Sequence, residues 1–224
     1  MISVVKVGGA AAGAAPKIAD LRRAGRQVVV VHGAGPQISE RCRAIGIEPR
    51  FLAGQRVTDA AVLAVVDQAL AEVNARLVAE LAGAGIAAQG LFGALDGVPH
   101  DDRRLGLVGR VSRVDTAAVG ELLAAGTVPV ISPLAGGLNV NGDHAAAAVA
   151  AAVGASELVF LSDVPGVLGA DGRVIRRITA DQAPALIDGG HVTGGMIPKL
   201  NAGTAALAHG VWRVWIGAET MVTA

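Results

Sequence analysis

Apolar runs and helical segments alternate along the whole chain. Short β-branched runs predict strands over residues 2–7, 27–31, 128–132, 157–162 and 213–216. Longer segments with helical periodicity predict helices over residues 17–24, 36–45, 59–81, 117–125, 143–153, 181–187 and 196–208. Residues 28–31 are all valine, which is typical of a strand covered on both faces in a parallel sheet. The alternation predicts an α/β fold, a three-layer αβα sandwich on a mostly parallel open sheet.

Glycines mark the ends of five predicted helices. A glycine just after a helix readily adopts the left-handed conformation that ends it. The five are Gly46, Gly85, Gly126, Gly154 and Gly210. No internal repeat or charged linker divides the chain, and we place a boundary between two lobes near residues 152–157. The lobes are then residues 1–153 and 154–224.

Composition excludes several classes of function. Among 224 residues, 19 Lys+Arg balance 19 Asp+Glu, and aromatic residues make up only 2%. This balance argues against nucleic acid or an anionic membrane surface as a partner. The alanine-rich run over residues 144–156 is too short to span a bilayer. Cys42 is the only cysteine and cannot form an internal disulfide, which favours a reducing, cytoplasmic location.

A glycine-rich turn follows the valine run. His32-Gly33-Ala34-Gly35 stands at the end of a predicted strand and at the start of a predicted helix. Ligands bind at that edge of a parallel sheet, and a helix N-terminus offers free N–H groups to an anion. The turn lacks the third glycine of a dinucleotide fingerprint and the Gly-Lys-Ser/Thr of a P-loop. It therefore predicts either an anion site or an ordinary tight turn.

Two lysines stand close to paired glycines. Lys6 lies inside an apolar strand, where an unpaired lysine is costly to bury, and Gly8-Gly9 follow it. Lys199 lies in the first turns of a predicted helix, near the positive end of the helix dipole. A bound anion such as phosphate explains a lysine in either place. The alternatives are an edge lysine that reaches solvent and an exposed lysine without a role.

Three polar residues alternate along an extended segment that enters a helix. A period of two places the side chains of Asn139, Asn141 and Asp143 on one face. Asp143 also suits the cap of that helix, but capping does not explain the asparagines, which offer amide donors and acceptors to a small polar ligand. Arg56, just ahead of the longest helix, is placed to bind a carboxylate, although a surface arginine is the alternative.

Taken together, these motifs resemble those of the amino-acid kinase family, most closely its acetylglutamate kinases. The similarity runs over essentially the whole chain, through KVGGA, VVVHGAGPQI, GQRVTD, LNVNGD, LSDVPGVL and GGMIPK in that order. Each motif alone is weakly specific, whereas the ordered set is specific. The resemblance implies ATP-dependent phosphorylation of the side-chain carboxylate of N-acetyl-L-glutamate in arginine biosynthesis. It also implies ATP with Mg²⁺ and a homodimer.

The resemblance also implies roles for individual residues. The N-terminal lobe would bind the acylated amino acid and form the dimer, and the C-terminal lobe would bind ATP. Lys6 and Lys199 would stabilise the transferring phosphoryl group, and Asp143 would hold both ammonium groups. The substrate would be bound by Gly33, Ala34, Gly35, Arg56, Asn139 and Asn141. ATP would be bound by Gly8, Gly9, Asp163, Val164, Pro165, Gly166, Val167, Leu168, His191, Val192 and Thr193.

The implied chemistry assigns no metal ligand to the protein and no proton-transfer role to His32. A carboxylate is already ionised at neutral pH, so this nucleophile needs no general base. The enzyme must instead reduce the repulsion between two anions by positioning and electrostatics. Lysines, backbone N–H groups and Mg²⁺ provide those effects.

The chain departs from the family pattern in several places. Ala34 stands where a third glycine is common, and the run between Pro133 and Asn139 is short, which predicts a trimmed lid over the substrate. Only AETMVTA follows WRVWIG, in place of a further helix and a Gly-Thr strand, which predicts a shortened ATP lobe. The chain starts at the first strand, without the N-terminal helix of arginine-inhibited relatives. That start predicts a dimer that arginine does not inhibit.

Two other functions stay open. One is a kinase of lysine biosynthesis that acts on aminoadipate or glutamate attached to an acidic carrier protein. The other is a catalytically inactive, ligand-binding member of the fold. The neutral charge and the Asn-Val-Asn sequence favour free acetylglutamate over a carrier-linked substrate. Retention of Lys6, Asp143 and Lys199 together favours an enzyme over a binding protein.

Overall fold

The computed structural model describes residues 1–8 and 13–224 of the chain. The strands in these ranges are β1 (Ile2–Val7), β2 (Gln27–His32), β3 (Phe51–Leu52), β4 (Gln55–Arg56), β5 (Ala88–Leu91), β6 (Leu95–Pro99), β7 (Val108–Val114), β8 (Val128–Ile131), β9 (Leu134–Ala135), β10 (Leu138–Val140), β11 (Glu157–Phe160), β12 (Arg177–Thr179), β13 (Arg213–Ile216) and β14 (Thr220–Thr223). The α-helices are α1 (Ala14–Arg23), α2 (Gly35–Ala44), α3 (Ala60–Gly83), α4 (Thr116–Ala124), α5 (Gly142–Ala152), α6 (Gln182–Asp188) and α7 (Met196–Ala208).

Eight strands form the central sheet, in the order β12-β14-β13-β11-β1-β2-β8-β5. All neighbouring pairs are parallel except β13 and β14, which form an antiparallel hairpin. Strand β1 lies in the middle, and its Lys6 is opposite Val31 of β2 and Phe160 of β11. The carboxyl ends of β1, β2 and β11 therefore meet at one edge of the sheet.

Helices cover both faces of this sheet. In β2, Val29 and Val31 pack into a core formed with α4, α5, α6 and α7. Val28 and Val30 point the other way, into a core formed with α1, α2 and α3. Both cores are dry clusters of valine, leucine, isoleucine and alanine, as the continuous valine run predicts. The predicted three-layer αβα sandwich on a mostly parallel sheet is confirmed.

The remaining strands form smaller sheets. Strands β6, β7, β10 and β9 make a four-stranded sheet in that order, and β3 and β4 make a separate hairpin. Neither assembly is predicted by the sequence patterns, because most of these strands are short and β7, with seven residues, mixes polar and apolar positions. The edge strand β5 and the final strand β14 were missed for the same reason.

The predicted helices are confirmed: α7 has the predicted bounds, and the ends of the others shift by one to three residues. The five glycines assigned to helix ends all have positive φ angles, between 61° and 94°. No helix in the described ranges combines the length and the apolar character needed to cross a membrane.

A buried acid ties the amino ends of the central strands together. Glu157 begins β11 and is 4% exposed. Its carboxylate accepts from Ser3 Oγ at 2.7 Å and from Arg213 Nε at 3.1 Å, and it pairs with Arg26 at 2.7 Å. Burial alone would raise the pKa of this carboxyl, but the hydrogen bonds from Arg26, Ser3 and Arg213 outweigh it and lower the pKa.

A second buried polar network lies under the opposite edge of the sheet. His32 ends β2 and is fully buried, with its Nε2 2.9 Å from Ser132 Oγ and 3.1 Å from Asn74 Nδ2. Asn74 also donates to the carbonyl of Val130 at 2.9 Å, which anchors α3 to β8. Burial lowers the pKa of His32 from 6.5 to about 4, and the nearby charge of Lys6 adds to the effect. The ring is therefore neutral at pH 7, which fits the expectation of a packed strand-end histidine.

We expect Glu157→Gln to lower the free energy of unfolding at pH 7 by about 3 kcal/mol, because it removes the charge that compensates the two arginines. A lowered pKa stabilises the fold above the ordinary carboxyl pKa, and this contribution is lost as pH falls through the folded-state value. Urea denaturation should thus show the variant and the wild type converging in acid. Glu48→Gln, at a well-exposed acid, is the matched control. Equal stabilities at pH 7 would contradict this role.

His32 should contribute a separate dependence of stability on pH. The pKa of His32 is 6.5 in the unfolded chain and about 4 in the folded chain. The contribution of His32 to the free energy of unfolding is therefore full above pH 6.5 and is lost as pH falls toward 4. The expected loss across this window is about 3 kcal/mol. His32→Asn should flatten the slope of unfolding free energy in that window, whereas His209→Gln, at an exposed histidine, should leave it unchanged. An unaltered slope in His32→Asn would refute the assignment.

Candidate active site

A cleft of about 470 Å³ opens where β1, β2 and β11 end. The hairpin β3–β4, strand β10 and the N-termini of α2, α5 and α7 form its walls. Ligands of open α/β sheets bind at this edge. The structure brings eleven of the residues singled out from the sequence to this cleft: Lys6, Gly8, Gly33, Ala34, Gly35, Arg56, Asn139, Asn141, Asp143, Asp163 and Lys199.

Asp143 joins two lysines at the floor of the cleft. Lys6 Nζ lies 2.7 Å from Asp143 Oδ1, and Lys199 Nζ lies 3.4 Å from Asp143 Oδ2. Lys6 comes from the central strand, Asp143 from the first turn of α5, and Lys199 from the start of α7. Lys6 and Asp143 are only 8% and 5% exposed. The cluster carries one net positive charge in a largely desolvated place, where it attracts an anion.

Two of the helices that begin at the cleft have open N-termini. Ala34 and Gly195 precede α2 and α7, and no side chain within residues 1–8 and 13–224 caps either helix. By contrast, Asp59, Asp115 and Asn141 cap α3, α4 and α5. The dipoles of α2 and α7 point their positive ends at the cleft and add to the positive potential of the two lysines, although the N–H groups of Met196 and Ile197 in α7 already donate to the carbonyls of Thr193 and Gly194.

A tight hairpin presents Arg56 to the cleft. Ala53 and Gly54 connect β3 to β4 with φ angles of 48° and 77°, the two positive values of a type I′ turn. Arg56 stacks on Phe51 across this hairpin, with its guanidinium carbon 4.8 Å from the ring centre.

Three contacts fix the guanidinium of Arg56 and leave its Nη1 nitrogen without a hydrogen-bond partner among the described residues. Besides the Phe51 ring, Nη2 donates to the carbonyl of Gly35 at 3.0 Å and to Ser39 Oγ at 2.9 Å. Nη1 is buried and has no hydrogen-bond partner among the described residues. Burial also lowers the pKa of Arg56. A buried guanidinium with an unused donor, facing a cleft, is arranged to receive an anion.

The two asparagines enter the cleft in different roles. Asn139, on β10, donates from Nδ2 to Thr58 Oγ1 at 3.0 Å. Asn141 caps α5, because its Oδ1 accepts from the N–H groups of Asp143 at 2.8 Å and His144 at 3.3 Å. The cap suggested for Asp143 is therefore wrong, since Asn141 takes that role and leaves Asp143 free to hold the lysines.

The residues assigned to the nucleotide are less closely grouped. Gly8 and Asp163 line the cleft, and Gly9 lies outside the described residues. Gly166, Val167 and Val192 are buried. The side chains of the two valines lie in the core beneath α5 to α7 and are not available to a ligand. The others are exposed but do not line this cleft: Val164, Pro165, Leu168, His191 and Thr193.

The C-terminal strand holds the segment 163–168 in place, a role that the sequence analysis missed. Thr220 Oγ1 accepts from the N–H of Val167 and donates to the carbonyl of Ile175, both at 2.8 Å. A Cβ at Gly166 would lie 2.3 Å from that oxygen, so only glycine fits there. The residues after WRVWIG thus include a strand, β14. It follows β13 directly, through a turn at 217–219, without the intervening helix.

The sequence analysis also missed several residues of the cleft itself. Phe51 and Gln55 come from the β3–β4 hairpin, and Ser162 and Gly195 lie beyond β11 and before α7. The rule that ligands bind beyond parallel strands points to Ser162. Phe51 and Gln55 had no comparable signal, because Ala-Gly is not one of the residue pairs that commonly mark a type I′ turn.

Comparison with known proteins places this geometry in a family. The sequence model described as "Amino acid kinase family" matches residues 1–218. The chain is 42% identical to an acetylglutamate kinase of Methanopyrus kandleri, over 93% of this chain and 92% of that protein. It is also 42% identical to an acetylglutamate kinase of Geobacillus stearothermophilus, over 88% of this chain and 80% of that protein.

A solved structure has nearly the same fold. The crystal structure of smu.665 from Streptococcus mutans superposes with a TM-score of 0.93 at 31% sequence identity. The match covers 99% of this chain and 98% of that one. The agreement extends over both predicted lobes.

Proposed function

Because this chain belongs to the amino acid kinase family, we propose that it transfers the γ-phosphoryl group of ATP to the side-chain carboxylate of N-acetyl-L-glutamate. The products are an acyl phosphate and ADP, and the step is one of arginine biosynthesis. The identity of about 40% with several acetylglutamate kinases, over most of the chain, supports this assignment.

The Lys6–Asp143–Lys199 cluster is the observation that carries the proposal. A carboxylate oxygen attacks the γ-phosphorus while the bond to the leaving ADP oxygen breaks, so negative charge gathers on the phosphoryl oxygens. Lys6 and Lys199, both held by Asp143, would lie on two sides of the place where that charge develops. Such preorganised cations stabilise the transition state more than the separated anions. The nucleophile is already ionised, so no general base is required.

The donors around the cleft suit the rest of the acylated amino acid. Arg56 would bind the α-carboxylate through its unused Nη1. The backbone N–H groups of Ala34 and Gly35, at the N-terminus of α2, would bind the reacting carboxylate and phosphate. The N–H of Gly33 already donates to the carbonyl of Val7 at 2.9 Å, so Gly33 would instead leave room for the substrate beside Lys6. Asn139 and Asn141 would bind the amide group. The apolar part of the lining suits an acetyl methyl group: Ile38, Leu70, Val108 and Pro133.

We assign the nucleotide to the C-terminal lobe, residues 154–224, and the acylated amino acid to residues 1–153. Gly8 and Gly9 would approach the phosphates, and the segments 163–168 and 191–193 would line the ATP site. Asp163 could contribute a side chain, whereas Val167 and Val192 could contribute only backbone.

The side chains of the cleft fit Mg²⁺ held by the nucleotide better than Mg²⁺ held by the protein. Asp143 is occupied by two lysines, and the described residues contain no cluster of three acids, histidines or cysteines. Phosphate oxygens would therefore supply most ligands, as is usual for Mg²⁺. Bound in that way, the ion neutralises part of the phosphate charge.

We further propose a cytoplasmic homodimer. The strand β5 is the edge of the central sheet, and Phe92, just after it, is 59% exposed. An uncovered edge beside an exposed aromatic ring is a common place for pairing between two copies. The single cysteine, Cys42, is buried and unpaired, in keeping with a reducing compartment.

Trapping of the acyl phosphate with hydroxylamine tests the function. The purified protein should form hydroxamate with ATP, Mg²⁺ and N-acetyl-L-glutamate, and little with L-glutamate or N-acetyl-L-aminoadipate. No product with any free substrate would overturn the proposal and would favour a carrier-linked substrate or an inactive protein.

Lys199→Ala and Arg56→Ala should separate stabilisation of the transition state from binding of the substrate. Loss of Lys199 removes charge stabilisation of the transition state, so kcat should fall roughly 100-fold or more with a small change in KM for acetylglutamate. Loss of Arg56 should raise that KM roughly 10- to 100-fold and affect kcat less. Steady-state kinetics decides between these patterns, with Lys17→Ala, at an exposed lysine, as the control. Equal effects of Lys199→Ala on kcat and KM would mean that Lys199 only binds substrate.

A further inference from the structure

Thr58 lies between two residues of the cleft without reaching the cleft itself. It follows β4, is fully buried and does not line the cavity. Its hydroxyl donates to the carbonyl of Arg56 at 2.9 Å and accepts from Asn139 Nδ2 at 3.0 Å. One hydroxyl thus connects the guanidinium-bearing hairpin to the amide on β10.

The protons of this contact fix the orientation of the Asn139 amide. A hydroxyl has one proton, and here that proton is directed to the carbonyl of Arg56. Toward Asn139 the hydroxyl can only accept, so the NH₂ group of the amide must face Thr58. The reversed amide would place two oxygens with lone pairs against each other. Asn139 Oδ1 is therefore directed away from Thr58, and no described residue donates to it.

The backbone around Thr58 keeps this arrangement rigid. Thr58 N–H donates to the carbonyl of Leu105 at 2.9 Å, and its own carbonyl accepts from Leu107 N–H at 2.7 Å. A Cβ at Gly106 would lie 2.4 Å from the Thr58 carbonyl oxygen, so a glycine is required at that approach. Leu107 also accepts from Asn139 N–H at 3.0 Å. The same loop therefore fixes both partners of the contact.

Asn141 presents a hydrogen-bond donor to the cleft, whereas Asn139 presents an acceptor. Its Oδ1 is used to cap α5, which leaves its Nδ2 as the free end of the amide. Asn139 therefore offers an acceptor and Asn141 a donor, from neighbouring positions in one cleft wall. A secondary amide, with one N–H and one C=O, matches this pair. An ester has the C=O but no N–H.

We propose that Thr58 is a positioning residue that makes the cleft selective for an N-acylated over an O-acylated substrate. It does so by keeping the acceptor of Asn139 turned toward the ligand. The inference rests on the proposed function in that the ligand is an acylated amino acid. It goes further in assigning the discrimination between amide and ester to a side chain that never touches the substrate.

Turnover of N-acetyl-L-glutamate and of its ester analogue, (S)-2-acetoxyglutarate, tests the proposal. The wild type should prefer the amide roughly 10- to 100-fold in kcat/KM, because the ester leaves Asn139 Oδ1 facing another acceptor. Thr58→Val keeps the shape and removes the hydroxyl, so the Asn139 amide is free to turn. That variant should lose most of the preference, while its KM for ATP stays unchanged.

Two companion variants separate positioning from stability. Thr58→Ser keeps the hydroxyl and should retain the preference of the wild type. Thr58→Ala lacks the hydroxyl and should lose the preference as Thr58→Val does, which keeps the test available if the valine does not fold. An undiminished preference in Thr58→Val or Thr58→Ala would overturn the proposal. So would a preference lost equally in Thr58→Ser, because a merely structural residue would behave in that way.

Binding in the absence of ATP distinguishes failure of this inference from failure of the proposed function. Isothermal titration calorimetry of both analogues on the wild type and Thr58→Val should show the same loss of preference. If the wild type binds the amide more tightly than the ester but turns over neither, the kinase function fails and the role of Thr58 stands. If the wild type is active but binds both equally, the role of Thr58 fails. A protein that binds neither analogue overturns both.

Discussion

The ion contacts of Asp143 are the constraint on which the cleft depends. Lys6 lies in the central strand of the sheet, where an ammonium group is costly to bury without a carboxylate beside it. Lys199 comes from a helix more than 190 residues later in the chain. Asp143, in the first turn of α5, reaches both because α5 packs against β1 and α7. One carboxylate for two lysines leaves the cluster short of negative charge, so the site is electrostatically complete only with an anion bound.

The surroundings of the cluster add to its excess of positive charge. Helices α2 and α7 begin at the cleft without a side-chain cap among the described residues, and Arg56 keeps an unused buried donor. Elsewhere in the fold, Asp59 and Asp115 cap α3 and α4 internally. Leaving the Nη1 donor of Arg56 unused at the cleft costs stability. The arrangement suits a site where two anions are brought together, as in phosphoryl transfer to a carboxylate.

The main sheet and its helices could be predicted from the sequence because their signals are local and strong. The valine run of β2, the long period of α3 and the glycines after the helices each determine one element. The small sheet and the β3–β4 hairpin could not be predicted in that way. In β7, Arg110 and Arg113 stand among valines, and pairing with β6 rather than burial stabilises the strand. Strand β14 could not be predicted because it has only four residues, and two of them are polar threonines.

For the site, eleven of the residues singled out from the sequence line the cleft, but the sequence did not give the direction of their hydrogen bonds. The three alternating polar side chains do meet in the cleft, yet the sequence assigned the cap of α5 to Asp143 rather than Asn141, because both suit a cap equally well on composition. The direction of the Asn139 hydrogen bond depends on where the hydroxyl proton of Thr58 points. Thr58 is distant in the chain from Asn139, so the sequence does not reveal this contact. The consequence is functional. An acceptor placed beside the amide of the ligand is what allows an N–H group to be told apart from an oxygen.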